Sequence, residues 1–498
     1  MLKSLRDLIK DSFTYGASSL AGQIIGFLLL PLYTSYLSTV DYGIMAMLAI
    51  LTSLFPIVSS LGLTNAVFRR FNLHLDPKVQ QDSLSTAYTS ILIISILLLL
   101  ISLFFHDYLS VIMVDDSSYK NLVIISLFSG FIGSVLAVLN VILRAKRKVV
   151  QLSVFRIIQL IITIITTIFL VVFKEQGVSG VIYGTFYGYL LTFIIQHLYF
   201  FKLIKIKIDL SELKELLNYG FPFFPHRILT YSSVFIIQFL IKEFIGLSES
   251  GLYNIALRFT LPLAFVVTAI QSAWVPIKFQ IHRENPRKSS DILSKMMNIY
   301  FIFISLSCSI LLLLGPEILR FMTSIEFHEA ANFLPFVILI PFFRGIYHVM
   351  GTGFEITKNT KPMPLVSGTG LIIIIITSIA LSNYIGIYGL IISVILSWIV
   401  QAILLRGFSV RRFYVKINYK MLLRFILTLI ISSILIFVVQ NFKIDYRIMA
   451  QIMIFLMSVS IISIYSIFFI QKEFKSIYGY NDKLDYIISK FRSVKNKL

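Results

Sequence analysis

The sequence predicts an all-α integral membrane protein with 14 transmembrane helices: two six-helix lobes related by a parallel pseudo-two-fold repeat, plus two C-terminal helices. Three observations predict it. Of the 498 residues, 57% are hydrophobic and only 14% are charged, and mean hydropathy is +0.87. A soluble chain carries roughly 45–50% apolar and about 25% charged residues, and a globule of this length has no room to bury the excess. The apolar residues fall in runs of about 20, the length of helix that crosses the hydrocarbon core. Lys and Arg collect in every second gap between those runs.

The runs lie near 12–36, 42–68, 83–105, 119–143, 152–173, 178–201, 216–241, 251–275, 292–314, 333–353, 364–382, 386–407, 421–440 and 449–470. The first is too long for a cleaved signal peptide, and Pro31-Leu32-Tyr33 is not a small-residue cleavage site. The third contains Ile91–Leu100, where only Ser95 interrupts the apolar series; a barrel strand is shorter and alternates apolar with polar. The seventh, eighth and tenth carry Pro or Arg, and their bounds are the least distinct. Pro31, Pro56, Pro222, Pro225, Pro262, Pro276, Pro335 and Pro341 lie in or at the ends of runs, where proline removes a helix hydrogen bond and permits a bend. The longest outer gap, near 315–332, is too short for a separate catalytic domain. The tail Gln471–Leu498 is basic and mildly amphipathic, which predicts that it lies on the inner leaflet. Cys308 is the only cysteine, which excludes a disulfide-stapled secreted domain.

The formal charge is +20, from 44 Lys and Arg against 24 Asp and Glu. In a soluble chain that balance would raise nucleic-acid binding. Position gives it a duller origin. The N-terminus, the tail and the alternate gaps with the run ends beside them hold 34 of the 44 basic residues, the other gaps hold six, and four lie farther inside runs. Basic residues collect on cytoplasmic loops, so both termini are expected in the cytoplasm and no nucleic acid is required.

A weak internal repeat accompanies the spans. Tyr15-Gly16 near the start of the first matches Tyr219-Gly220 near the start of the seventh. Val40-Asp41-Tyr42-Gly43 opening the second parallels Glu249-Ser250-Gly251-Leu252-Tyr253 opening the eighth. The offset is six spans, an even number, so both copies keep one orientation, an arrangement found in transporters. The expected organisation is an N-terminal lobe over 1–208, a C-terminal lobe over 209–412, extra helices over 413–470 and a basic cytoplasmic tail over 471–498.

The four basic residues farther inside spans are Arg156, Arg227, Arg258 and Arg344. Arg156 is near enough to the cytoplasmic end of span 5 to snorkel. The other three are deeper, and an arginine at the bilayer centre costs about 2.5–3.5 kcal/mol on insertion scales. Three together cost about 8–10 kcal/mol, comparable to the stability of a whole protein. Such residues face a wet cavity or a partner. All 24 acids fall in loops or at span ends; Glu243 and Glu355 come closest to the interior. A net-positive interior suits an anionic substrate, and the guanidinium fork fits phosphate. Each arginine also admits a structural reading, as a bond to backbone carbonyls at a broken helix. Tyr231 is four residues after Arg227, Asn254 four before Arg258 and His348 four after Arg344, spacings that share a helix face. Gln23 and Asn140 add polar groups in spans 1 and 4, though such groups also bond helix to helix. His226 and His348 have no metal-ligand spacing, and neither metal nor cofactor is expected.

The run Tyr15-Gly16, Gly26, Pro31-Leu32-Tyr33, Leu37-Ser38-Thr39-Val40-Asp41-Tyr42-Gly43, Leu61-Gly62-Leu63, Ala66 and Arg69-Arg70-Phe71 resembles the polysaccharide-exporter branch of the MOP (multidrug/oligosaccharidyl-lipid/polysaccharide) superfamily. Gly353 and Thr357-Lys358-Asn359-Thr360-Lys361 resemble that family's short cytoplasmic turn. The resemblance implies a MATE-like pair of lobes around a central cavity, and a flippase for the polyprenyl-diphosphate-linked oligosaccharide units of O-antigen, capsule and similar polymers. It implies as partners that lipid-linked substrate, the lipid bilayer of the bacterial cytoplasmic membrane, and the polysaccharide polymerase or chain-length machinery. Related flippases use cationic cavity residues, including an arginine in span 8, which Arg258 matches in kind. A multidrug antiporter of the same fold would be expected to place Asp or Glu in the membrane. A membrane polymerase or glycosyltransferase would need catalytic groups on an outer loop, for which Asp107, Asp115 and Asp116 are the candidates.

Overall fold

The computed structural model describes residues 26–73, 76–146, 148–200, 205–284, 286–357, 362–410, 413–441 and 446–478. Its elements are helical throughout. They are α1 (Leu30–Tyr36), α2 (Thr39–Ser60), α3 (Leu63–Leu73), α4 (Pro77–Phe104), α5 (His106–Val114), α6 (Lys120–Ala145), α7 (Val149–Ile168), α8 (Gly177–Phe200), α9 (Leu210–Gly220) and α10 (Phe224–Phe244). There follow α11 (Leu247–Phe259), α12 (Leu261–Glu284), α13 (Ser289–Met322), α14 (Ala330–Val337), α15 (Leu339–Met350), α16 (Thr352–Thr357), α17 (Met363–Ile385), α18 (Ile387–Val410), α19 (Tyr419–Asn441) and α20 (Arg447–Tyr478). Among the described residues, 12 helices are long and apolar enough to span a membrane, and 13 when the bent pair α11–α12 is taken as one. Most of the first expected span lies outside the described residues.

The spans differ from expectation where local chemistry breaks the apolar run. The second ends at Ser60, not near 68, because Leu61 and Gly62 take left-handed φ of 44° and 81°. The chain then restarts as the separate amphipathic helix α3. The N-terminal end of α2 is fixed by a capping box, in which Ser38 Oγ accepts from Asp41 N at 3.1 Å and Asp41 Oδ2 accepts from Ser38 N at 3.0 Å. The seventh span is preceded by α9, capped by Asp209, and the two are joined by a 3-10 turn at Phe221–Phe223 around Pro222. The eighth bends by 49° at Thr260, ahead of Pro262. The ninth continues to Met322, which shortens the longest outer gap. There Glu317 binds Arg320 at 3.1 Å and Arg447 at 3.3 Å, so its carboxylate is neutralised at the end of the span.

Packing repeats at a distance of six spans. In the first half α6 packs on α2, α4 and α8, and α7 pairs with α8. In the second half α14–α15 pack on α11, α13 and α18, and α17 pairs with α18. The helices α19 and α20 pair with each other and cover α13. Helix α9 packs on α3 and α4, and its Leu216 joins a core cluster with Leu63, Ala66, Val67, Phe71 and Leu84. Arg70 holds it there, donating to Glu212 at 3.0 Å and Glu215 at 2.6 Å, while Ser83 donates to Glu212 at 2.5 Å.

The two halves meet along α2. Where α2 passes α11, a Cβ on Gly43 would collide with the Leu247 carbonyl, and one on Gly251 with the Thr39 carbonyl. Only glycine allows the backbones this close. Ser248 donates to Thr39 Oγ1 at 2.8 Å beside that crossing. At the same end of the bundle Ser324 donates to the Thr34 carbonyl at 2.7 Å, and Lys242 binds Asp115 at 2.6 Å and the Ile112 carbonyl at 2.9 Å. This end, opposite the basic one, is closed.

Candidate functional site

Helix α15 shows which way the interior opens. Every residue of it is buried except Arg344, which is exposed, and His348, which is half-buried. They are one turn apart, so one narrow stripe of an otherwise packed helix faces a space. Tyr231, 42% exposed on α10, lies within electrostatic reach of Arg344, as does Tyr347. The Arg344 guanidinium stands over the Trp398 ring of α18, 5.8 Å from its centroid. Three spans therefore converge on this arginine.

Arg258 is the penultimate residue of α11, just before the bend. The negative end of the helix dipole favours a cation there. The guanidinium reaches across to the first half and stands over Tyr42, 5.9 Å from its centroid, with Tyr33 also in electrostatic reach. Asn254, one turn back, is half-buried like Arg258. Arg227 is half-buried in the first turn of α10, where the dipole disfavours a cation. Beside it, His226 Nδ1 is 3.1 Å from Ser367 Oγ.

At 1.5 Å per residue, Arg258 lies about 16 Å, Arg344 about 20 Å and Arg227 about 25 Å from the closed ends of their spans. The three form a staircase from the basic end toward the middle. Among the described residues none of them has a carboxylate partner. The acids pair elsewhere: Glu212 and Glu215 with Arg70, Asp115 and Glu243 with Lys242, Glu317 with Arg320 and Arg447. No group of three or more potential metal ligands occurs among the described residues.

The structure thus brings Tyr231 to Arg344. It directs His348 into a small cleft with Ile270, Gln271, Trp274, Lys278, Tyr300 and Val349, where Gln271 Nε2 is 3.0 Å from His348 Nδ1. Arg156 is half-buried on α7, in the first half. Gln23 lies outside the described residues. Asn140 is taken up by Gln196, whose Nε2 donates to its Oδ1 at 3.3 Å. Sequence reading missed Tyr33, Tyr42 and Trp398. Tyr33 and Tyr42 stand in the family-like run with no sign there of an arginine partner, and in a chain that is 14% aromatic nothing marks Trp398.

The chain matches the family model for polysaccharide biosynthesis proteins over residues 8–282. No curated protein sequence matches it. Among solved structures it is similar to lipid II flippase MurJ in an inward closed conformation, with TM-score 0.72 and 20% identity over 92% of this chain and 99% of that one. It is also similar to an inward-facing multidrug resistance MATE family transporter of the MOP superfamily, with TM-score 0.62 and 15% identity over 81% and 93%. A MOP superfamily transporter from Pyrococcus furiosus, described as having a binding pocket of reversed polarity, matches with TM-score 0.62 and 14% identity over 82% and 95%. The fold is that of MurJ and the MATE transporters, and with the family match covering more than half of its length, the chain belongs to the polysaccharide biosynthesis protein family.

Proposed function

We propose that this protein is a flippase that carries polyprenyl-diphosphate-linked oligosaccharide units across the bacterial cytoplasmic membrane by alternating access, with its basic end in the cytoplasm. The observation that carries the reading is the staircase of Arg227, Arg344 and Arg258 without acid partners. A diphosphate supplies the anion that such a cavity lacks, and guanidinium binds phosphate bidentately. Arg227 meets the head group first, Arg344 next and Arg258 deepest. The polyprenyl tail stays in lipid while the sugars cross in the wet cavity. Release requires the outward state to bind the head group less tightly than the inward one.

The likeness to a structure named as a lipid II flippase supports this reading. The family and fold are those of transporters rather than enzymes, and the outer-loop acids have structural partners. Asp115 holds Lys242, Asp116 caps the turn at Ser117–Tyr119, and Asp107 lies 3.8 Å from Lys120.

The test is the sidedness of lipid-linked oligosaccharide in cells depleted of the protein, read with a sugar-cleaving enzyme that cannot cross the membrane. Complete units accumulating in protected form support the flippase. Complete units accumulating on the outer face point to a polymerase instead. No accumulation, together with altered drug sensitivity, points to an antiporter.

A further inference from the structure

Basic groups in this molecule are held by carboxylates or by aromatic rings, and both holders occur at the rims, where Arg69 stands 4.2 Å over Tyr219 and Arg424 4.2 Å over Tyr465. Acids hold Arg70, Lys242, Arg320 and Arg447. Inside, Arg258 and Arg344 have no acid partner among the described residues and each stands over an aromatic ring from another span, Tyr42 of α2 and Trp398 of α18. The two holders differ in what they leave free. A carboxylate accepts from the N–H fork and cancels the charge, and an arriving phosphate must displace it. A ring attracts the cation through its quadrupole while accepting none of those donors conventionally. It fixes the guanidinium and leaves both the fork and the charge available.

We propose that Trp398 and Tyr42 are positioning residues for the anion site: aromatic holders that preorganise Arg344 and Arg258 for a diphosphate without neutralising them. The proposal rests on the flippase reading for the identity of the anion. Its physical content is that a fixed cation loses less freedom on binding. Tyr42 is fully buried and its hydroxyl has no hydrogen-bond partner among the described residues, so the ring is the part of it that Arg258 engages.

Inorganic diphosphate is the probe, titrated calorimetrically into purified full-length protein. Trp398→Leu is expected to bind it roughly five-fold more weakly than wild type, the effect of losing a partly desolvated cation–π contact, and Trp398→Phe close to wild type. In an Arg344→Gln background, Trp398→Leu is expected to change binding by less than two-fold, because the two residues act as one unit. A second readout keeps Trp398 in place. With Trp274 replaced by Phe, Trp398 is the remaining tryptophan, and its emission is expected to shift on adding diphosphate unless Arg344 is also Gln. Wild-type affinity in Trp398→Leu, or an equal loss in the Arg344→Gln background, overturns the positioning role. An unchanged emission overturns it too where Trp398→Leu does not fold. If Arg344→Gln itself binds diphosphate as wild type does, the anion-site reading falls as well, which separates the two failures.

Discussion

Arg344 is the one exposed residue on a helix packed on its other faces, and a guanidinium left open there without an acid is costly unless something arrives to use it. Alanine at Arg227, Arg258 or Arg344 is therefore expected to lower transport while the protein still inserts. A charge-assisted bond contributes about 1.5–3 kcal/mol, so each change should weaken diphosphate binding roughly ten- to hundred-fold. Lysine is expected to rescue only in part, because the fork geometry is lost. Full activity in all three alanine variants removes the cavity assignment. These arginines were legible in the sequence because insertion cost singles out a charge in an apolar run. Their ring partners were not, since Tyr42 and Trp398 look like any core aromatic until spans 2 and 12 are folded against spans 8 and 10.

Among the elements, α9 shows what hydropathy alone misses. The apolar runs gave the spans, since length and composition decide them locally. The amphipathic helices α3 and α9 carry too many charges to register, and their docking depends on contacts more than a hundred residues apart, such as Arg70 with Glu212. That contact is mostly buried, with 18% and 10% of the two side chains exposed. Arg70→Ala leaves Glu212 with the Ser83 hydroxyl and is expected to cost about 3 kcal/mol, as for removal of one partner from a buried pair. Glu215 is 58% exposed, and its removal should cost under about 1 kcal/mol. Thermal unfolding of the two variants in detergent checks the contrast; equal shifts would mean that α9 is held by its apolar face alone. The break at Phe221–Phe223 follows directly, so α10 begins as a separate segment between the docked α9 and the second half. Proline placement made that break legible; the bend at Thr260 was foreseen only as a possibility attached to Pro262.

Across the whole molecule, the closed end is held by three separated contacts, and alternating access requires all of them to part. Those contacts are Thr34 with Ser324, Thr39 with Ser248 beside the Gly43–Leu247 and Gly251–Thr39 approaches, and Asp115 with Lys242. The second is the most accessible to a chemical test, because the Thr39 and Ser248 hydroxyl oxygens are 2.8 Å apart. The native Cys308 is fully buried, so it competes little for oxidant. Thr39→Cys with Ser248→Cys is expected to form a disulfide on mild oxidation, clamping α2 to α11. Transport should then stop and return on reduction, while diphosphate binding from the basic end persists throughout. The binding measurement matters, because a cross-link that merely distorted the arginine staircase would abolish both. A chain that still transports with the bond fully formed would not open between α2 and α11, and substrate would have to leave elsewhere. Gly43→Val approaches the same seam from the opposite direction. Its side chain cannot sit against the Leu247 carbonyl, so the seam should loosen, and a single cysteine at Ser248 should then react faster with a membrane-impermeant thiol reagent than it does beside Gly43.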